Sequence, residues 1–562
     1  MEGRDTAKII FNFKDNLNID EEDNKSTISE PKTKLSSYKK DFTDSVDEKR
    51  KKYSNTFIHK PYYLNPNLFQ VFQSGKSDQT QKVKSYITIL SIWNMMMGSG
   101  IIALPYSVYN AGIIPTLFIC LFYGFVCFYT CRVVVKTGGK DEDYSDTVYR
   151  YFHIFGEMNG NIGKYIQIIF NLSVNIGASF VYFLIINQNL YPCLVELLKA
   201  FGIKNLDAMD LTPDFSKFSI IYCGIFIIII VFPLLLLKDL SILVKINSYG
   251  IYIILTILCF IVFRGIYGIS TTDFKFDYFH NVEKSKTRYL YLFGENPCLL
   301  MGTCSLGFFA HSIIMPIMKN NEKQENNTRD LAVGYLLVVL TYIILGISGY
   351  VGFSAKDMPG NFEDNWFKMF KSNIIYIIAL RIINILQILS IFPVLVYIVR
   401  IQFFGIFFNI NWPGYKYLLI YINIYLGMCF LILYFFYDKL GKFVSFLGAF
   451  TGLFLIFFIP SVINMIYYRR KHPFNLEEVQ KQLNEPEKDD KELNYDKDYF
   501  GISKKKKNKF KEIIFYISQI LIICMGLWTL FVQFKPINIF NIHLKDQKKS
   551  LYIKKIIILI NY

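Results

Sequence analysis

Long apolar stretches alternate with short polar connections along this chain. A helix needs about 20 consecutive apolar residues to cross the hydrocarbon core of a bilayer. Stretches of this length recur from about residue 86 to residue 534, and we predict eleven membrane-spanning helices from them. Their approximate bounds are 86–108, 113–135, 164–190, 218–237, 246–267, 297–318, 331–352, 373–399, 416–437, 442–468 and 512–534.

The first span contains a sequence that disfavours a continuous helix, WNMMMGSGIIALP at 93–105. Gly98 and Gly100 flank Ser99, and each Gly costs about 1 kcal/mol of helix propensity relative to Ala. Pro105 removes a further backbone donor. Because unsatisfied backbone groups cost several kcal/mol each in lipid, a break is tolerated only where it is buried or lines a cavity. Broken helices of this kind form the substrate sites of secondary transporters, and a kinked helix packed closely on a neighbour is the alternative.

The polar remainder divides the chain into regions. Residues 1–85 are rich in charges of both signs and poor in aliphatic side chains, so we expect a disordered cytosolic tail. Residues 86–468 form a predicted core of ten spans. A charged cytosolic loop at 469–511 precedes the eleventh span at 512–534, and a basic and apolar tail follows at 535–562.

Composition and charge support a membrane protein. The 562 residues are 52% hydrophobic, with a mean hydropathy of +0.30, which is too apolar for a soluble domain. With the N-terminus in the cytosol, about two thirds of the 61 Lys and Arg fall on the cytosolic side, as expected from the positive-inside rule. The net charge of +16 therefore indicates contact with anionic lipid headgroups and not nucleic-acid binding. The sequence has no hydrolase, kinase or phosphate-loop signature, so no enzyme and no cofactor are indicated.

Several stretches carry a family resemblance. They are TILSIWNMMMGSGIIALP at 88–105, YSDTVYRYF at 144–152, GFFAH at 307–311, KNNEKQENNTRDL at 319–331, and Arg381 with LQ at 386–387, SIFP at 390–393 and RIQ at 400–402. Together they resemble the amino acid/auxin permease family, and within it the sodium-coupled neutral amino acid transporters. The resemblance covers roughly residues 85–534 and is closest to a lysosomal, amino acid-sensing member of that group.

The resemblance implies a fold and a substrate site. The expected fold is of the leucine-transporter type, with two inverted five-helix repeats plus one extra helix, in which the first and sixth spans are broken. It implies a secondary active amino-acid transporter that works by alternating access, coupled to Na⁺ or H⁺. The expected substrate-binding residues are Met96, Met97, Gly98, Ser99, Gly100, Gly307 and His311.

Four polar residues carry more specific expectations. The resemblance implies a Na⁺ site at Asn94 and Ser390, although a lone Asn in a span is otherwise often an interhelical hydrogen-bonder. His311 could titrate near neutral pH, or it could be a neutral, hydrogen-bonded histidine. For Arg381 we expect the side chain to snorkel to the non-cytosolic interface.

A second functional hypothesis belongs to a different class. The chain could be an amino-acid sensor that signals through its cytosolic N-terminal tail with little transport, and the signalling partner of that tail stays open. A channel is disfavoured because no span carries a ring-forming filter. We expect a multi-pass protein of the lysosomal, vacuolar or plasma membrane.

Overall fold

The computed structural model describes most of the chain between residues 83 and 534. The described residues are 83–98, 100–139, 142–203, 206–236, 250–271, 275–279, 289–319, 321–353, 362–408, 413–471 and 498–534. Nearly all of the predicted N-terminal tail, most of the loop at 469–511, and the C-terminal tail lie outside them. Ser99, one of the predicted substrate-binding residues, does so too.

Helices dominate the described residues. They are α1 (Ser85–Met96), α2 (Gly100–Ala111), α3 (Ile113–Thr137), α4 (Tyr144–Phe152), α5 (Glu157–Ala200), α6 (Ile220–Leu235), α7 (Gly250–Thr271), α8 (Pro297–Gly307), α9 (Ile314–Lys319), α10 (Asn327–Val351), α11 (Ile375–Phe408), α12 (Tyr415–Phe436), α13 (Leu440–Gly452), α14 (Ile459–Lys471) and α15 (Asp498–Phe534). Short 3₁₀ turns lie at His153–Phe155, Gln324–Asn326 and Trp366–Met369, and a π-helix at Leu453–Phe458 joins α13 to α14.

The prediction of a helical, multi-span membrane protein is confirmed. Each predicted span overlaps one helix or one pair of helices. Within the described residues, eight helices are long and apolar enough to cross a membrane, or nine if α1 and α2 form one bent span. Two further apolar helices are shorter, α6 with 16 residues and α8 with 11. The count of eleven spans therefore stays a prediction. The last helix begins at Asp498 and not near residue 512.

Two of the spans are interrupted. The axes of α1 and α2 differ by 64° across the predicted break. The sixth predicted span is likewise divided, because α8 ends at Gly307 and α9 begins only at Ile314. These interruptions lie at equivalent positions, in the first and sixth spans of the two five-span halves that the sequence predicts.

A short strand pair was not predicted. Strands β1 (Lys275–Phe279) and β2 (Tyr289–Phe293) run parallel in the connection between α7 and α8. After β2, the Gly294 N–H donates to the Ala111 carbonyl at 2.8 Å, which fastens this connection to the end of α2. At Gly112, φ is +84° and a Cβ would lie 2.4 Å from the Gly294 nitrogen, so glycine is required there.

Small residues bring α10 close to the first broken span. A Cβ on Gly334 would lie 2.8 Å from Ile92 of α1. On the α2 side, a Cβ on Gly349 would lie 2.4 Å from Pro105. Close approach through small residues is the usual basis of helix association in membranes. Helix α10 therefore packs against both halves of the interrupted first span.

The same principle joins α8 to α13. A Cβ on Gly302 would lie 2.2 Å from the Ser445 carbonyl oxygen, and one on Gly448 would lie 2.2 Å from the Gly302 carbonyl oxygen. The Ser445 hydroxyl also donates to the Leu299 carbonyl at 2.8 Å. The first half of the sixth span, α8, is therefore packed so closely on α13 of the tenth span that the two backbones are in contact.

We expect Gly302→Ala to destabilise the protein by about 1–3 kcal/mol, because the added methyl would overlap backbone that cannot move aside cheaply. The measurement is the thermal unfolding midpoint of purified protein in detergent. Gly427→Ala in α12 is the matched control, since a Cβ there meets nothing within 4 Å. A Gly302→Ala protein as stable as the control would contradict this packing.

Candidate functional site

The two helix interruptions line one cavity of about 200 Å³. Its wall is formed by the first interruption, the second interruption, and faces of α5, α10, α11 and α13. The lining residues are Met95, Met96, Gly98, Gly100, Asn171, Val174, Asn175, Ala178, Val181, Tyr182, Thr303, Leu306, Gly307, Phe309, Ser312, Ile313, Tyr342, Leu395, Ile398, Gln402 and Val444. No Asp, Glu, Lys, Arg or His is among these described wall residues, so the cavity is polar in places but uncharged.

Tyr342 of α10 connects the two interruptions. Its hydroxyl lies 2.7 Å from the Met96 carbonyl oxygen and 3.1 Å from the Gly307 carbonyl oxygen, so that one donor serves both. Each carbonyl belongs to the last residue of a helix that stops inside the protein, and no backbone N–H of the described residues outside the helices donates to it. Tyr342 is buried, which removes water as a competing partner. The hydroxyl therefore stabilises both breaks at once.

A second tyrosine acts in the same way one heptad earlier. The Tyr335 hydroxyl donates to the Phe308 carbonyl oxygen at 3.0 Å. Since Tyr335 and Tyr342 are seven residues apart, they lie on the same face of α10. A Cβ on Gly307 would come within 2.5 Å of the Tyr342 ring, so only a glycine at this position leaves room for the ring.

Other hydrogen bonds fix the half-helices. The Ser107 hydroxyl of α2 and the Thr303 hydroxyl of α8 are 3.0 Å apart and buried. The Trp93 indole N–H of α1 donates to the Thr341 hydroxyl at 3.0 Å. The broken segments are thus positioned by side chains on neighbouring helices and not by their own backbone alone.

This arrangement suits a small zwitterion. The N-terminal end of α2 at Gly100 presents N–H groups and the positive end of a helix dipole, which favour a carboxylate. The carbonyls of Met96 and Gly307 each keep a second lone pair that can accept from an ammonium group. Apolar side chains such as Val174 and Leu395 would surround the remainder of the ligand.

The structure separates the predicted substrate-binding residues into two groups. Met96, Gly98, Gly100 and Gly307 line the cavity. Met97 is 1% exposed and is not part of the wall. Of the wall glycines, Gly100 has open space where a side chain would be.

His311 lies within the second interruption, but its side chain contacts α3 and is not part of the cavity wall. Its Nε2 is 2.9 Å from the Thr130 hydroxyl of α3, and the ring is fully buried. The neighbouring Phe309 and Ser312 line the cavity, whereas His311 does not. The hydrogen-bonded alternative for this residue therefore has a partner in the structure, and a role in substrate binding stays a prediction.

The predicted Na⁺ ligands are not joined to each other. The Asn94 side chain is exposed, and no hydrogen bond of the described residues links it to Ser390. The Ser390 hydroxyl donates to the Gln387 carbonyl at 2.7 Å within α11, which leaves its oxygen lone pairs available to a cation. The donor types fit Na⁺, and the site stays a prediction.

The family of the chain follows from comparison with known proteins. Residues 82–484 match the model of the family described as transmembrane amino acid transporter protein. The chain belongs to this family.

Two named proteins and one solved structure are similar to this chain. The zebrafish (Danio rerio) protein named neutral amino acid transporter 9 is 26% identical over 456 residues, which cover 74% of this chain and 80% of that protein. A Caenorhabditis elegans protein named sodium-coupled neutral amino acid transporter 9 homolog is 25% identical over 450 residues, which cover 72% of this chain and 71% of that protein. The solved structure of Mhp1, a nucleobase-cation-symport-1 family transporter in a closed conformation, aligns with a TM-score of 0.42 and 14% identity over 81% of this chain and 91% of that one.

Beyond the cavity, the two ends of the transporter differ. Helix α10 crosses from Asn327 to Val351, so the loops at its two ends lie on opposite sides. The Asp143 carboxylate oxygen Oδ1 lies 3.8 Å from Nζ of Lys319, which comes shortly before α10. We call this side the Asp143 end. The side of Trp366, which follows α10, is the Trp366 end.

At the Asp143 end, a second and smaller cavity of about 20 Å³ adjoins the first. It shares Asn171, Ser312 and Gln402 with the larger one and reaches Asp143. The Asn175 side-chain amide donates to the Gln402 side-chain oxygen at 3.2 Å where α5 faces α11. This hydrogen bond joins two uncharged side chains. It lies where the larger cavity adjoins the smaller one, because Gln402 lines both.

At the Trp366 end, residues 362–370 fold inward over the helices. The Trp366 indole N–H donates to the Gly349 carbonyl at 3.0 Å, and the Asn365 amide donates to the Gln188 side-chain oxygen at 3.0 Å. Burial raises the pKa of the adjacent Glu363 carboxyl, against the opposing effect of Lys368. Trp366 and Asn365 are almost completely buried, so this segment closes its end.

Sequence reasoning missed Tyr342, Asn175 and Gln402. The two α10 tyrosines at a spacing of seven were a usable signal, because a buried Tyr requires a partner for its hydroxyl. The sequence gives no indication that this partner is a carbonyl 246 residues away.

We expect Tyr342→Phe to weaken amino-acid binding by roughly 5- to 150-fold, since leaving a buried carbonyl unsatisfied costs about 1–3 kcal/mol. Equilibrium binding of a radiolabelled amino acid to purified protein measures this. Tyr421→Phe is the matched control, because the buried Tyr421 hydroxyl has no hydrogen-bond partner within the described part of the chain. Equal affinities for the two variants would show that the Tyr342 hydroxyl does not organise the site.

Proposed function

We propose that the protein moves neutral amino acids across a membrane by alternating access. The observation that carries this proposal is that both interrupted helices meet at the Tyr342 hydroxyl over one uncharged cavity. Freed backbone groups at membrane depth are the means by which secondary transporters hold a small charged ligand without a charged side chain.

The wall of the cavity supports a neutral side chain on the substrate. A cationic or anionic side chain would be buried among Val, Leu, Ile and amide groups without a counter-charge, and an unpaired buried charge is costly. The volume of about 200 Å³ is below the roughly 300–1,000 Å³ typical of pockets for drug-sized ligands, which suits a small metabolite. The printed names of the relatives, neutral amino acid transporters, agree with this class.

The unequal ends support alternating access. The substrate cavity continues toward the Asp143 end through a second small cavity, while residues 362–370 cover the Trp366 end. A transporter must close one side before it opens the other. In this conformation the Trp366 end is covered, and the cavity extends toward the Asp143 end. The distribution of Lys and Arg supports a cytosolic location for that end. The membrane would be lysosomal, vacuolar or plasma membrane.

For the coupling ion we propose Na⁺, with Asn94 and Ser390 as ligands, and H⁺ as the alternative. Na⁺ is a hard cation that amide, hydroxyl and carbonyl oxygens satisfy, and one relative is named as sodium-coupled. The described residues show no hydrogen bond between Asn94 and Ser390, so the support for this assignment is the ligand chemistry and the family resemblance.

The test is uptake of a radiolabelled amino-acid panel into proteoliposomes with a Na⁺ gradient, a pH gradient or neither. We expect Na⁺-driven uptake of neutral amino acids that falls at least tenfold in Asn94→Ala. Asn423→Ala is the control, because Asn423 is an exposed asparagine of α12 that bonds only its own helix. Uptake that ignores Na⁺ and survives Asn94→Ala would overturn the Na⁺ site, and preference for charged amino acids would overturn the substrate class.

One observation supports the alternative, an amino-acid sensor with little transport. The residues that enter α1 are fixed to the connection between α9 and α10, because the Glu322 N–H donates to the Val83 carbonyl at 2.8 Å. The N-terminal 82 residues thus connect directly to the half-helix that ends at the site. In the uptake experiment, amino-acid binding without flux would favour the sensor over the transporter.

A further inference from the structure

Arg381 of α11 is a buried cation with few partners. Its side chain is 1% exposed at the Trp366 end of the protein. One nitrogen, Nη2, donates to the Phe367 carbonyl at 2.8 Å. The other two, Nε and Nη1, are buried and have no hydrogen-bond partner among the described residues. The expectation that this side chain snorkels to the interface is wrong, because residues 362–370 cover it.

Arg381 also has no ion-pair partner within 4 Å among the described residues. The Glu196 carboxylate interacts with the guanidinium only from beyond that distance, because its oxygens bind other groups. Glu196 of α5 accepts from Lys199 at 3.0 Å and from the Ser372 hydroxyl at 2.7 Å. Asp364 accepts from Lys368 at 3.1 Å. A guanidinium stays charged under all ordinary conditions, and a buried charge without a partner is strongly destabilising.

A second arginine on the same helix shows how a buried guanidinium is usually satisfied. Arg400 is 4% exposed, and its Nη1 donates to the Leu235 carbonyl at 3.2 Å while its guanidinium stacks on the Tyr397 ring at 4.3 Å. No nitrogen of Arg400 is buried without a partner. The difference between Arg381 and Arg400 is therefore specific to the site and not a general property of α11.

We propose that Arg381 is the centre of an anion-binding site at the Trp366 end, separate from the amino-acid cavity. The two unpartnered nitrogens supply charge-assisted donors, which bind chloride or a carboxylate more strongly than neutral donors do. Arg381 is not part of the cavity wall, so this site goes beyond the proposed transport function. An anion here would neutralise the guanidinium and stabilise the conformation in which residues 362–370 close their end.

The shared chemistry is a small anion, which could be free chloride or the carboxylate of an amino acid arriving from the Trp366 end. The experiment is thermal unfolding of the full-length protein in lipid nanodiscs, in sodium chloride, sodium acetate or sodium isethionate at equal ionic strength. Isethionate serves as the bulky reference anion. We expect a saturable rise of a few degrees in Tm with the ligand anion, because binding to the folded state alone stabilises it.

The variants are Arg381→Gln, Arg381→Lys and the control Arg400→Gln. The Tm rise should be lost in Arg381→Gln and kept in Arg400→Gln. If Arg381→Gln does not fold, Arg381→Lys decides, since a lysine has fewer donors and should need a several-fold higher anion concentration for the same rise. A rise with chloride identifies a free-ion site, and a rise with acetate alone identifies a carboxylate site. Equal Tm of the wild type in all three salts, or an anion response unchanged in the Arg381 variants, would overturn the proposal.

Discussion

A helix that stops inside a membrane protein leaves carbonyl oxygens without donors, and this structure depends on how they are satisfied. Water cannot reach them cheaply, and each unsatisfied group costs several kcal/mol at membrane depth. The Tyr342 hydroxyl meets the need for both interruptions, at Met96 and at Gly307. The same contact that makes the breaks tolerable also brings them together, and the cavity lies where they meet.

Helix α10 has a second role that follows from this position. Its glycines admit the two halves of the first span, and its end at Gly349 accepts from Trp366 of the segment that closes one side. One uninterrupted helix thus contacts the half-helices of the site and the closing segment. A shift of α10 relative to α1 and α2 would change the site and the closed end together, which is the coupling that alternating access requires.

The sequence predicted what local chemistry decides. Two glycines and a serine before Pro105 locate the first break, because helix propensity and backbone hydrogen bonding act over a few residues. The family resemblance added the second break near Gly307. Tyr342 was missed because its partners are backbone carbonyls of distant segments. The prediction that Arg381 snorkels was wrong for a related reason. The position of Arg381 along the span indicates its depth in the membrane, but only the folded segment 362–370 determines whether water reaches its side chain.

The most direct test of the central claim is a cryo-EM structure of the full-length protein in nanodiscs with a saturating neutral amino acid. We predict ligand density between the two interruptions, with the carboxylate toward the start of α2 at Gly100 and the ammonium toward the Met96 and Gly307 carbonyls. Ligand density elsewhere, with this cavity empty at a concentration that saturates binding, would contradict the account.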